Sequence, residues 1–237
     1  MAYLVFQLQG AMASWGEAAV GEYRGTHDLP TVSALAGLLC AALGLRRDQE
    51  EEIQAVHRHY LMAVGVYACG PMLRDYHTAQ VASRSQLKGT RHATRKDELA
   101  FRRTELNTIL STRDHVQGVR YRVAVQADDE APYPLDALRQ ALLTPAFVPY
   151  LGRKSCPLEA PTAPCLMDVD DVLAALSGYP HAGDGSTRRP FKLTWCDGMT
   201  PGVESSLTVR QRDRLIHRGA WQYGERTQHV AMLPQEA

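Results

Sequence analysis

The chain has 237 residues, 45% of them hydrophobic and 22% charged, and its 26 Lys/Arg are balanced by 26 Asp/Glu. These values suit one large globular domain, or one domain with a sizeable insertion, able to bury a core without disulfides or metals. The five cysteines, at 40, 69, 156, 165 and 196, form no CxxC pair, which argues against a zinc ribbon and for reduced thiols in the cytoplasm. MAYLVFQLQG lacks the cationic start of a signal peptide, and no later run reaches the ~18 apolar residues of a membrane span.

Residues 3–9, YLVFQLQ, predict a first strand, followed by a glycine-bounded turn, GAMASWG. In LPTVSALAGLLCAALG, Thr31 can cap, apolar residues recur at 35, 38, 39, 42 and 43, and Gly44 fits the stop, so a helix is expected over 31–43. A second helix is expected over about 48–59, with Asp48 as cap and Glu50–Glu52 in its first turn. Strands are read at 61–69 and 73–81, parted by Gly70-Pro71.

Residues 82–105 have no apolar period and read as an inserted arm, mobile unless it meets a partner. Strands at 106–112 and 118–127 follow, then a helix from Pro134 to about Leu143. This β-α-β-β-α order with an arm in its middle is a split βαβ pattern of ferredoxin type. DVDDVLAALSG predicts a short helix over 168–178, and the last forty residues hold strand-like pieces with a basic cluster at 210, 212, 214 and 218.

The zero net charge conceals an asymmetry. Between Arg84 and Arg122, ten Lys/Arg face four Asp/Glu, a net of +6, so the remainder carries −6. A basic segment on an acidic body points to a polyanion contact, against the plainer reading of a solvated charged face. In the loop PYLGRKSCP (149–157), Gly152 lets the backbone approach a ligand, Arg153 offers a phosphate fork, Lys154 a compact charge and Tyr150 a stacking face. The alternative is that Tyr150 and Leu151 pack inside while Arg153 and Lys154 are merely solvated. In LRDYHTA (73–79), Asp75 and His77 share a strand face and Tyr76 points away. They suit either an RNA contact or a satisfied strand pair. No Walker loop, HExxH, GxSxG or paired metal carboxylates occur, so neither a metal nor a cofactor is expected. His77, His92 and Lys88 leave one catalytic alternative, a metal-independent endoribonuclease.

GAMASWG, LPTVSALAGLLCAALG, LRDYHTA and above all AFVPYLGRKSCPL (146–158) resemble the CasD family, Cascade subunits of type I-E CRISPR systems that grip the 5′ end of the guide RNA. The resemblance runs through most of the chain, best over 1–157. In the first motif Ala11 and Ser14 stand where the family usually has Pro and Ala.

The resemblance implies an α+β, ferredoxin-like (RRM-related) core over 1–160, interrupted by a basic thumb at 82–105, with a small C-terminal region at 161–237. It also implies a non-catalytic cytoplasmic protein of antiviral defence that caps the crRNA 5′ handle. Its implied partners are the Cascade backbone subunit, the large PAM-reading subunit and, indirectly, target DNA. Relatives of subtype I-C cleave RNA with a Tyr/Lys/His set, which keeps the endoribonuclease alternative open. On this reading the RNA-binding residues are Tyr150, Gly152, Arg153 and Lys154 in the loop, Arg74, Tyr76 and His77 on the strand, and Arg84, Lys88, Arg91 and Arg95 in the thumb.

Overall fold

A computed structural model describes residues 1–17, 19, 21–89, 93–180 and 189–234. The strands are β1 (Ala2–Ala13), β2 (Trp15–Gly16), β3 (Tyr23–Arg24), β4 (Thr26–His27), β5 (Tyr60–Ala68), β6 (Met72–Val81), β7 (Asn107–Ala127), β8 (Cys165–Asp168), β9 (Lys192–Cys196), β10 (Leu207–His217) and β11 (Gln222–Met232). The helices are α1 (Val32–Leu43), α2 (Glu50–His59), the single-turn α3 (Arg84–Leu87) and α4 (Arg95–Glu98), α5 (Leu135–Leu143) and α6 (Val172–Gly178).

Among the described residues one sheet runs β10-β11-β9-β5-β7-β1-β8, with β3 and β6 also pairing to β7. Its segment β8-β1-β7-β5, with α1 and α2 between β1 and β5 and α5 between β7 and β8, is the βαββαβ arrangement of a ferredoxin-like fold. The expected class therefore holds. The 160/161 division falls inside this unit, before its fourth strand, and β9–β11 continue the same sheet.

β1 is buried on both faces because both are covered. Leu4, Phe6 and Leu8 pack with Leu35, Leu39, Val56 and Leu138 of the helical layer. Tyr3 and Val5 pack with Val172, Ala175 and Leu176 of α6 on the opposite side. α1 begins and ends where its sequence predicts: the Thr31 hydroxyl accepts from Ala34 N–H, and Gly44, at φ +80°, turns the chain left-handed. α2 instead starts at Glu50 after Gln49, not at Asp48. The DVDD stretch divides between two elements. Asp168 ends β8, while the Asp171 carboxylate caps α6 by accepting from Ala174 N–H at 2.7 Å.

One expectation for the middle of the chain is corrected. The segments read as separate strands at 106–112 and 118–127 form one strand of 21 residues, β7. Its first half pairs with β6 from Met72↔Val116 to Val81↔Asn107, and its second half lies between β1 and β5. The left-handed Gly118, at φ +55°, sits within it. The projecting unit is thus a two-stranded ribbon over 72–116 with the arm at its tip. The arm itself holds local structure: α3 and α4 are each closed by a capping box, Ser83 with Gln86 and Thr94 with Asp97.

Candidate nucleic-acid interface

The 149–157 loop is fixed at its base by backbone bonds. Ser14 N–H donates to Leu151 O at 3.0 Å, Leu151 N–H to Cys156 O at 2.8 Å, and Cys156 N–H to Arg153 O at 2.8 Å. Leu151 and Cys156 are fully buried, so the loop is clamped by its apolar residues and offers the polar ones outward. Tyr150 is 44% exposed and Lys154 is exposed. Gly152 adopts φ +83°, and a Cβ there would lie 1.9 Å from the Ser14 backbone oxygen.

Arg153 is half-buried. One of its terminal nitrogens donates to Arg24 O at 3.3 Å, while the other, Nη1, is buried without a hydrogen-bond partner among the described residues. Burial, then the neighbouring charge of Arg113, pushes its pKa below the ordinary arginine value. Arg24 stands beside Arg113 in the β3–β7 pairing. His115, two residues along β7, is buried with Nδ1 unpartnered, and its pKa is lowered by burial and then by Arg153. Three guanidinium groups and an imidazole thus crowd one corner. The nearby carboxylates are Asp75, across the ribbon from Arg113, and Asp114, which is already engaged by Arg74. Like charges held together, with Arg153 half-buried and Arg24 and Arg113 exposed, suit an anion with several oxygens, such as a phosphate. Arg24, Arg113 and His115 were not singled out in the sequence. No local motif marks them, because β3–β7 pairing and the β7 register bring them to Arg153.

The other face of the ribbon is spoken for. The buried Asp114 accepts from Arg74 at 2.9 and 3.1 Å and from the Tyr23 hydroxyl at 2.5 Å. The Arg74 hydrogen bonds, ahead of the other influences, hold its carboxyl below the usual carboxylate range. The Arg74 guanidinium also lies over the Tyr23 ring, 5.5 Å from its centre. Arg74 therefore holds the ribbon root together. Tyr76, 64% exposed, and His77, exposed opposite Ser111, lie further out on opposite faces.

In the arm, Arg84 and Lys88 are exposed. Arg95 pairs with Glu98 at 2.6 Å and donates to Gln80 O, folding α4 back onto β6. Arg91 and His92 lie outside the described residues. Among the described residues no cluster of His, Cys, Asp and Glu could hold a metal ion, and no helix is long and apolar enough to cross a membrane.

This arrangement has relatives. Residues 3–229 match the family described as CRISPR-associated protein (Cas_Cas5). The CRISPR system Cascade subunit CasD of Escherichia coli (strain K12) is 31% identical over 194 residues, covering 77% of this chain and 79% of that protein. A solved structure described as a Cas protein superposes with a TM-score of 0.65 at 23% identity, covering 98% of this chain and 95% of the other. A chain of a CRISPR RNA-guided surveillance complex superposes with a TM-score of 0.64 at 21% identity, covering 97% and 89%. At those identities the two structures speak for the fold. With the match spanning nearly the whole sequence, the chain belongs to the Cas5 family of CRISPR-associated proteins.

Proposed function

We propose that the chain is an RNA-binding subunit of a Cascade-type CRISPR surveillance complex, without catalytic activity, that caps and holds the 5′ handle of the guide RNA. The observation that carries this reading is the corner of Arg153, Arg24, Arg113 and His115, with two buried nitrogens unpartnered beside an exposed aromatic and an exposed lysine. Phosphate oxygens can accept from the guanidinium groups of the corner and from Lys154, and Tyr150 gives an adjoining base a stacking face. The ribbon and its basic arm extend the cationic surface along a strand. The exposed Met72, Leu73, Tyr76, Ile109 and Leu110 on the ribbon and Phe147 and Val148 beside the loop suit burial by the backbone subunit and the large PAM-reading subunit. Through those subunits contact with target DNA is indirect.

The endoribonuclease alternative asks His77, His92 and Lys88 to act together, and of these His92 lies outside the described residues. Among the described residues no hydrogen bond joins His77 and Lys88.

Purified protein incubated with labelled repeat RNA, with and without EDTA, tests the reading. Salt-dependent binding without cleavage in either condition is expected. Cleavage in EDTA that His77→Ala abolishes would establish the nuclease instead. RNA affinity absent at low salt would leave a protein-only scaffold.

A further inference from the structure

Next to the 149–157 loop a cavity of about 430 Å³ opens between α1, the 147–152 segment and the β10–β11 turn. That volume falls in the usual range for small-ligand sites, roughly 300–1,000 Å³. On the α1 side the small residues Ala34, Gly37 and Ala41 form the wall together with Leu38 and Cys40. The facing walls carry Tyr150 from the loop, beside the apolar Phe147, Val148 and Pro149, and Trp221 from the turn.

Trp221 is 62% exposed and non-glycine at φ +53°, a backbone conformation that costs energy and is held here by the turn bond from Trp221 N–H to Arg218 O at 3.1 Å. The Arg218 guanidinium lies over its ring, 4.0 Å from the centre.

The charges around the cavity are sorted. Arg47 and Arg218 line it, and neither has a carboxylate partner among the described residues. The nearby acids are engaged elsewhere: Asp213 with Arg226 and the Val32 N–H, Glu50 with the N–H groups of Arg218 and Gly219. Two other titratable groups of the lining, His57 and Cys40, are shifted toward their neutral forms. Burial and then Arg218 push His57 down to about 4, and burial pushes the Cys40 thiol up to about 12. The His57 ring has no hydrogen-bond partner among the described residues. Aromatic and aliphatic walls, an imidazole without a hydrogen-bond partner among the described residues and two arginines without carboxylate partners there suit one chemical class: a flat, apolar-faced base with hydrogen-bonding edges, carried on a phosphate.

We propose that this cavity takes one unstacked nucleotide of the bound RNA, its base against Trp221 and Tyr150, its edge toward His57 and its phosphate at Arg47 and Arg218. The proposal rests on the RNA-binding reading above and deepens it, since Tyr150 and Gly152 border both the cavity and the arginine corner. An apolar side chain from a protein partner would fill the walls but leave both cations and His57 unmatched.

The test uses the full chain and a synthetic RNA copying the 5′ end of the repeat-derived guide, together with a series carrying one abasic nucleotide at each position. Trp15 and Trp195 are buried, so quenching of tryptophan fluorescence reports on Trp221. At one position base removal is expected to weaken binding about tenfold and abolish quenching. Trp221→Ala is expected to give the same loss and to make that abasic substitution silent, while Trp221→Phe restores affinity. RNA binding that stays dependent on Arg153 but indifferent to every abasic position and to Trp221→Ala would overturn the cavity proposal and leave the RNA-binding reading standing. Absence of any RNA binding would overturn both. The abasic series uses the unaltered protein, so the outcome does not depend on how Trp221→Ala folds.

Discussion

The Gly152 α-carbon stands so close to Ser14 that a methyl group on it would lie 1.9 Å from the Ser14 carbonyl oxygen. That contact, with the Ser14 N–H to Leu151 O bond beside it, ties the end of β1 to the loop that presents Tyr150, Arg153 and Lys154. It joins the N-terminal GAMASWG motif to PYLGRKSCP, two stretches far apart in the chain.

Gly152→Ala introduces both that overlap and a left-handed backbone that L side chains resist. The backbone strain alone costs about 1–3 kcal/mol, and the Ser14 oxygen is a backbone atom that cannot rotate away. A lowered thermal midpoint together with weakened RNA binding is expected. An unchanged melting curve would show that the β1–loop contact is not held in solution.

Arg153→Ala combined with Lys154→Ala is expected to weaken RNA binding while leaving the fold intact, since neither side chain belongs to the apolar core. For every phosphate that the variant no longer neutralises, the slope of log affinity against log salt should flatten by about 0.7, the single-strand value. Filter binding at several salt concentrations reads both quantities. Near-native affinity and slope in the double variant would place the RNA elsewhere.

Replacing residues 82–106 with a short turn joining Val81 to Asn107 is expected to spare the sheet, because α3 and α4 contain no buried residues. Hydrogen exchange should show β1, β5 and the second half of β7 as protected as before. Guide loading should fall. Collapse of protection in β5 would mean that the arm is part of the packed body.

Acid should weaken the fold in a window set by His57. Its pKa is about 4 in the folded chain against an ordinary 6.5, so the unfolded chain binds the proton more readily. The stability this group contributes is complete above pH ~6.5 and is lost as pH falls toward ~4, by roughly 2–4 kcal/mol over the window. The surrounding charges are Arg218, which lowers the value, and Asp213, which raises it. Denaturant unfolding at pH 7 and pH 5 should therefore differ, and His57→Gln should shrink the difference. Equal pH dependence in the variant would assign the acid sensitivity to the carboxylates instead.

Local chemistry written in the sequence carried far. Thr31 and Gly44 bound α1 because a hydroxyl cap and a glycine able to turn left-handed act on their immediate neighbours. The strands of the core were legible from their apolar alternation, and the loop around Gly152 from its composition. β8 was not read, because a four-residue strand, Cys165–Asp168, is too short to show a period. β7 was read as two strands because glycine interrupts its pattern, and only pairing on both sides reveals it as one.

The binding corner and the cavity were decided by tertiary structure. Arg24, Arg113 and Arg153 are gathered by β3–β7 pairing and by the loop bonds from Ser14 and Cys156. Trp221 lines the same cavity as Tyr150 because Asp213 and Glu50 anchor the C-terminal hairpin to α1 and α2. Arg74 shows the reverse: its sequence suits a phosphate, but the register that sets it opposite Asp114 gives it an internal partner. A sequence states which side chains can bind an anion. Whether a cation is left free to do so depends on which residues, remote along the chain, the sheet order and register bring beside it.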